Sequence, residues 1–240
     1  MARKEDLRKL REGTVINVTS KQQESQIVKA LLKVVARLRD EFGTKIQVEH
    51  LTQWYLKDIV AELRGQYPDV EFDHHLTTSS IRPDGGILRI HAPGEDHLSY
   101  PILIAEAKNQ GTNDLRAQEG LPKQGRGNAV ERLGKNVIGL RAALMRESIF
   151  PFVCFGYGCD FADGSSILDR VTVISMFGHL NRTYLHNEGG DKFNRGSFYF
   201  RCEEWSIDEM ADIMHDIARR SVLYYFSKYG DKQFKPTTKS

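Results

Sequence analysis

A chain of 240 residues, 40% hydrophobic and 28% charged, is long enough to bury a substantial core, at about 100–200 residues per domain. That composition excludes a disordered, collagen-like or disulfide-stapled polypeptide. Thirty-four Lys and Arg against 32 Asp and Glu leave a net charge of +2, which argues against a general nucleic-acid coat, because non-specific binding to polyphosphate rests on a basic surface.

The three cysteines, Cys154, Cys159 and Cys202, fit no C-x-x-C or Cys/His zinc spacing and read as buried, reduced thiols of a cytoplasmic protein. Residues 1–11 are basic but lead into no apolar stretch, so they are not read as a signal peptide. No apolar run approaches the roughly 18 residues of a membrane span, and no membrane association is expected.

In chain order, residues 1–19 read as a basic N-terminal arm, and a first helix is predicted over 22–42. Its apolar face is Ile27, Val28, Leu31, Val34, Val35, Leu38 and Phe42, with Ser20 and Gln23 as a capping box and Gly43 as the stop. A second helix is expected over 52–63, capped by Thr52 and closed by Gly65. Alternation of Val70, Phe72, His74 and Leu76 with polar neighbours reads as a half-buried strand. A Pro83-Asp84-Gly85-Gly86 turn leads into a strand at 87–91, and Pro93-Gly94 turns the chain again. Residues 100–108, YPILIAEAK, are apolar on both faces, the mark of a central strand. Polar, Gly-rich residues 109–125 read as a loop. Val130, Leu133, Val137, Leu140 and Leu144 then form a helical stripe. Further strands are predicted at 152–155 and 171–177. A last helix opens on a capping box of Ser206 and Glu209 and ends at Gly230, ahead of a polar tail at 231–240. The aromatic residues of that helix, Tyr224, Tyr225, Phe226 and Tyr229, read as packing. His74 and His75 fall on opposite faces of their strand, and His179 and His186 flank a candidate surface loop. The whole is one α/β domain over residues 1–240, a central mixed β-sheet flanked by helices.

Three ionisable residues stand where folding alone does not call for them. Asp84 sits in a tight turn between strands, while Glu106 and Lys108 end an otherwise apolar strand. With side-chain period two, Glu106 and Lys108 project from one face, and a hairpin about Gly94 would bring Asp84 beside them. Two converging carboxylates repel unless a cation lies between them, and hard oxygen ligands suit Mg²⁺. A lysine beside such a metal can stabilise charge on a phosphorane-like transition state or orient a water, so the set describes phosphodiester hydrolysis. Either half alone is equally the solvated end of a strand.

Three segments together are more specific. Residues 79–87 (SSIRPDGGI), 103–111 (LIAEAKNQG) and 127–132 (GNAVER) resemble the EcoRI family of type II restriction endonucleases. The first two match its PD…(D/E)xK nuclease motif, and the third its G-N-A-x-E-R element, which reads the inner AATT of the DNA site. The resemblance implies a restriction-endonuclease-like fold, with Asp84, Glu106 and the backbone carbonyl of Ala107 as Mg²⁺ ligands and Lys108 as the catalytic lysine. It also implies that Asn128 and Arg132 contact adenines, with Glu131 supporting them from the Gly127-Asn128-Ala129 helix start. Asparagine pairing bidentately with adenine N6 and N7 suits that role, and a helix start points free N–H groups at phosphate or base edges. Without the resemblance, Asn128 reads as an N-cap and Arg132 as a solvated first-turn residue.

Arg126 is a departure: the EcoRI enzyme has a small residue there, and the GRGNA run is similar to the MunI branch. An arginine at that place is implicated in reading the outer base pair, which leans towards CAATTG over GAATTC. Thr112 also departs, standing where EcoRI-like loops carry lysine after Gln-Gly. The family further implies a homodimer on double-stranded DNA, with a cognate DNA methyltransferase protecting the host. A repair or junction-resolving nuclease on the same core, and a catalytically silent DNA-binding protein, stay open as alternatives. Charge placement fits a DNA ligand better than the total does. Residues 108–146 hold eight basic and three acidic side chains, a local +5 against about −3 elsewhere.

Overall fold

The computed structural model describes residues 15–72, 77–91, 99–109, 113, 120, 127–158, 161, 166–177 and 197–230. The elements, in order, are α1 (Val15–Phe42), β1 (Val48–Leu51), β2 (Trp54–Tyr55), α2 (Leu56–Gln66), β3 (Ser80–Ile81), β4 (Gly86–His91) and β5 (Ser99–Asn109). They continue with α3 (Gly127–Ala143), β6 (Phe152–Tyr157), α4 (Ser166–Phe177), β7 (Phe198–Arg201) and α5 (Ile207–Tyr229).

Five strands form one mixed sheet in the order β1-β4-β5-β6-β7. β1, β4 and β5 pair antiparallel, whereas β5, β6 and β7 run parallel. β5 is the middle strand, and residues 101–107 are buried without a break. A strand covered on both faces must be apolar on both, which is why YPILIAEAK reads so evenly. One face of the sheet meets α1 and α5 through Ile27, Leu31, Leu88, Leu103, Val153, Met214 and Ile217. The other face meets α2, α3 and α4 through Ile87, Ile104, Ile59, Val137, Leu140, Ile167 and Val171. The two-stranded ribbon of β2 and β3 joins this second face, with Trp54 buried against it.

The capping box of α5 is present in full: Ser206 Oγ accepts from Glu209 N–H at 3.2 Å, and Glu209 Oε2 accepts from Ser206 N–H at 2.9 Å. Arg201 also grips Glu209 with both terminal nitrogens, at 2.7 and 2.8 Å. These donors, Arg201 first, hold the Glu209 carboxyl down at about 2. A carboxylate depressed from 4.5 to about 2 stabilises the fold fully above pH 4.5 and loses that contribution as pH falls towards 2. Glu209→Ala should therefore cost about 1 kcal/mol at pH 7, the size of a lost cap. The gap to the unchanged protein should narrow in urea unfolding as pH drops through that window.

Several expectations are corrected. α1 already spans Val15, so residues 15–19 are helix rather than arm, and Ser20 lies inside the helix. Gln23 is buried there, so it packs instead of reaching back to a cap. α2 starts at Leu56 rather than Thr52 and takes in Gly65, because Trp54 and Tyr55 pair with Ile81 and Ser80 first. The strand expected from Val70 onwards is not formed by residues 70–72. Val70 N–H turns back to the Tyr67 carbonyl at 3.1 Å, and its side chain is exposed. Residues 171–177 are helical, not extended. Their β-branched run imitates a strand, but Ile167 and Val171 face inward at helical spacing while Val173 is 69% exposed. Cys154 is buried as expected, whereas Cys202 is exposed in the polar bend after β7. The tail at 231–240, His74, His75, Cys159, His179, His186 and most of the 109–125 loop lie outside the described residues.

Candidate active site

Asp84 follows Pro83 at a bend that leads directly into β4, and the two glycines after it explain why the bend holds. Gly85 donates its N–H to the Ala105 carbonyl at 2.9 Å. A Cβ on Gly85 would approach Ala105 Cβ to 2.8 Å, with Ile27 of α1 close behind. Gly86 closes the turn by donating to the Pro83 carbonyl at 3.0 Å, at a φ of +84° that glycine alone adopts without strain. Gly85 is thus packed tightly against β5 and α1, and Asp84 stands immediately ahead of it.

β5 delivers the other groups. Glu106 pairs in register with Cys154 of β6, and Lys108 with Gly156. By the strand's period of two, both continue the face of Ile104, the side covered by α3. Glu106 is 1% exposed. Its Oε2 accepts from the Asp84 N–H at 3.2 Å, and Lys108 Nζ donates to Glu106 Oε1. Lys108 Nζ also donates to Asp84 Oδ2 at 3.1 Å, and the Ala107 N–H reaches the same oxygen at 3.3 Å. The backbone and one lysine therefore turn both carboxylates to a common point.

The electrostatics follow from that burial. Loss of water raises the Glu106 carboxyl above the ordinary range, with the Asp84 charge adding to it and Lys108 opposing. Burial pulls the Lys108 ammonium down, but the charges of Glu106 and Asp84 outweigh it and leave it raised. Cys154, fully buried beneath the cluster, is pushed well up by its burial and stays a thiol. The corner is an anionic pair that needs a cation, and the lysine supplies that cation here. Carboxylate oxygens gathered around a positive centre form a hard donor set of the kind that holds a divalent ion.

α3 packs on the same face. Leu133, Val137 and Leu140 point into the sheet, as their spacing predicts, and Leu144 is buried just beyond the helix end. Gly139 lies so near β3 that a Cβ would come within 2.5 Å of Ile81 Cδ1, three residues ahead of Asp84. The backbone of Gly127, Asn128, Ala129 and Glu131 forms the first turns of α3, which makes Asn128 a helical residue rather than the cap before the helix. Arg132 follows, exposed. Arg126 and the side chains of 127–131 lie outside the described residues. Sequence reasoning missed β1 altogether, since VEHL is only four residues long, and with it His50, whose Nε2 meets the Gly85 carbonyl at 3.0 Å.

The sequence model of the EcoRI restriction endonuclease matches residues 12–166, which takes in α1, the Asp84 turn, Glu106, Lys108 and all of α3. This chain belongs to the EcoRI restriction endonuclease family. The type II restriction enzyme RsrI of Cereibacter sphaeroides is 29% identical over 225 residues, covering 79% of each chain. The type II restriction enzyme EcoRI of Escherichia coli is 29% identical over 192 residues, covering 65% of this chain and 68% of that one. As a family member the chain is an enzyme, a type II site-specific deoxyribonuclease, and the mixed sheet flanked by helices is the fold of that family. Enzymes of this kind act on double-stranded DNA and generally use a divalent metal. No helix among the described residues is long and apolar enough to cross a membrane.

Proposed function

We propose that this EcoRI-family enzyme hydrolyses phosphodiester bonds in double-stranded DNA at a palindrome with an AATT core, using Mg²⁺ held at Asp84 and Glu106. The observation that carries the reading is the convergence of Asp84, Glu106 and Lys108 at one corner, on the face of the sheet that α3 covers. Asp84, Glu106 and the Ala107 carbonyl are the ligands. The bound ion supplies Lewis-acid charge that lowers the pKa of water and offsets charge growing on the phosphate. With its two carboxylates engaged elsewhere, Lys108 is released to donate to a phosphate oxygen or to the attacking water. In the hydrolysis the water oxygen bonds to phosphorus, one ester P–O bond breaks, and the departing oxygen takes up a proton.

Site choice falls to the start of α3. Asn128 and Arg132 read the adenines, Glu131 supports them, and Gly127 and Ala129 keep the turn slim enough to enter the major groove. Arg126 reads the outer pair through its guanine, and because both candidate sites carry a G·C pair there, the preference for CAATTG rests on the likeness of the GRGNA run to the MunI branch. A two-fold site calls for a two-fold enzyme, so the working form is a homodimer with each subunit cutting one strand. A DNA methyltransferase of the same specificity is the expected companion in the host.

Digestion of a sequenced plasmid with Mg²⁺, followed by sequencing of the ends, tests the reading. Discrete cuts confined to CAATTG are the expected result. Cuts at GAATTC would overturn the choice of CAATTG, and cuts without an AATT core would overturn the adenine assignment.

A further inference from the structure

We propose that His50 is a positioning residue that holds the Asp84 turn in the geometry its carboxylate needs, an inference that rests on the metal-binding reading of Asp84 given above. Three of the turn's backbone donors are engaged within the turn or from β5. Asp84 N–H goes to Glu106, Gly85 N–H to Ala105 and Gly86 N–H to Pro83. The Gly85 carbonyl faces the other way, towards β1, where His50 Nε2 meets it at 3.0 Å. A carbonyl oxygen only accepts, so the ring presents a protonated Nε2. Gly85 is thereby gripped from both sides, by β5 through its N–H and by β1 through its carbonyl.

A second observation concerns the space beside Gly86, where a Cβ would run into the His50 ring and into the Leu51 carbonyl. The ring therefore lies directly against the turn instead of merely reaching it. Yet His50 as a residue is exposed, on the edge strand of the sheet, and belongs to neither apolar core. A side chain so placed contributes little to folding, whereas the bond it makes falls one residue after Asp84. The Asp84 Oδ2 atom must hold its place against both Ala107 N–H and Lys108 Nζ. A misplacement of about 1 Å at a reacting site is enough to cost around 100-fold, so a brace on this turn has leverage.

The test compares His50→Ala with His50→Gln, whose amide nitrogen can present the same donor to Gly85. Mn²⁺ binding to the DNA-free protein is read from the free-ion EPR signal, beside the Mg²⁺ concentration that half-saturates cleavage. His50→Ala should weaken both by about tenfold, the low end for partners one bond removed from a metal ligand. Its unfolding midpoint should match that of the unchanged protein, and His50→Gln should restore most of the loss. Unaltered Mn²⁺ binding in His50→Ala overturns the proposal, as does a Gln variant no better than Ala. So does a His50→Ala protein that fails to fold or melts well below the unchanged one, since the role would then be structural. Asp84→Asn is measured alongside. If it too binds Mn²⁺ normally, the metal-site reading itself fails and this inference with it. Dependence on Asp84 without dependence on His50 removes the inference alone.

Discussion

Glu106→Gln is expected to fold and to cleave no DNA, with activity down by about 1,000-fold or more, since even one preorganised donor at a reacting site is worth about 100–1,000-fold. The side chain it replaces is buried and makes two of the contacts that shape the corner, accepting from the Asp84 N–H and from the Lys108 ammonium. Glutamine preserves the volume but loses the charge that any cation there requires. Lys108→Met should be equally inactive for a different reason, and its stability separates the two. Without the ammonium, Asp84 and a nearly fully buried Glu106 face each other uncompensated, a loss of about 3–5 kcal/mol by analogy with other broken buried pairs. Mg²⁺ should then raise the unfolding midpoint of Lys108→Met more than that of the unchanged protein, because ligand binding to the folded state alone stabilises it. Thermal unfolding with and without Mg²⁺, beside plasmid cleavage, reads both effects. Full activity in Glu106→Gln would sink the metal-site reading. A Lys108→Met protein indifferent to Mg²⁺ would show that the carboxylates do not share an ion.

How much of this was visible in the chain depends on what kind of interaction fixes each part. α5 was legible to the residue because its signals are local: Ser206 and Glu209 cap each other three residues apart, and Gly230 stops the helix. β5 was legible because burial on both faces leaves an apolar run that few other environments tolerate. Ser20 and Gln23 form the same type of capping pattern as Ser206 and Glu209 of α5, but α1 runs straight through them, since the residues before them also continue the helix. α4 was misread because Val171, Thr172, Val173 and Ile174 favour extended backbone locally, while packing against α3 decides the matter. β1 and β7 are strands of only four residues each, fixed by pairing with β4 and β6, partners distant in sequence.

The site divides the same way. Asp84, Glu106 and Lys108 could be placed together because strand periodicity and one hairpin suffice to bring them within reach. The flattening of Gly85 against Ala105 and Ile27 could not be read, because it depends on α1 crossing behind the sheet. His50 is the clearest case. Its strand carries no signal, and its partner is a backbone carbonyl 35 residues away.

The placement of α3 bears on the remaining large effect, the loss of base discrimination in Asn128→Ala and Arg132→Ala. Close packing of Gly139 on Ile81 ties α3 to the chain segment that enters the Asp84 turn. Near the N-terminus of α3, Arg132 is exposed. Each substitution should cost about 1–3 kcal/mol of preference for AATT over a site altered at one adenine, and the double variant more. Because an arginine is also a good phosphate ligand, salt dependence decides what Arg132 does. A base-reading arginine, when removed, relaxes choice at its own position and leaves the affinity for unrelated DNA nearly unchanged. A phosphate-binding arginine weakens every sequence alike and lowers the slope of log affinity against log salt by about one contact's worth. Competition binding of both variants at two salt concentrations, on AATT and single-substituted duplexes, gives both quantities. Uniform weakening in Arg132→Ala would move that residue from base to backbone and leave Asn128 as the reader of the adenine.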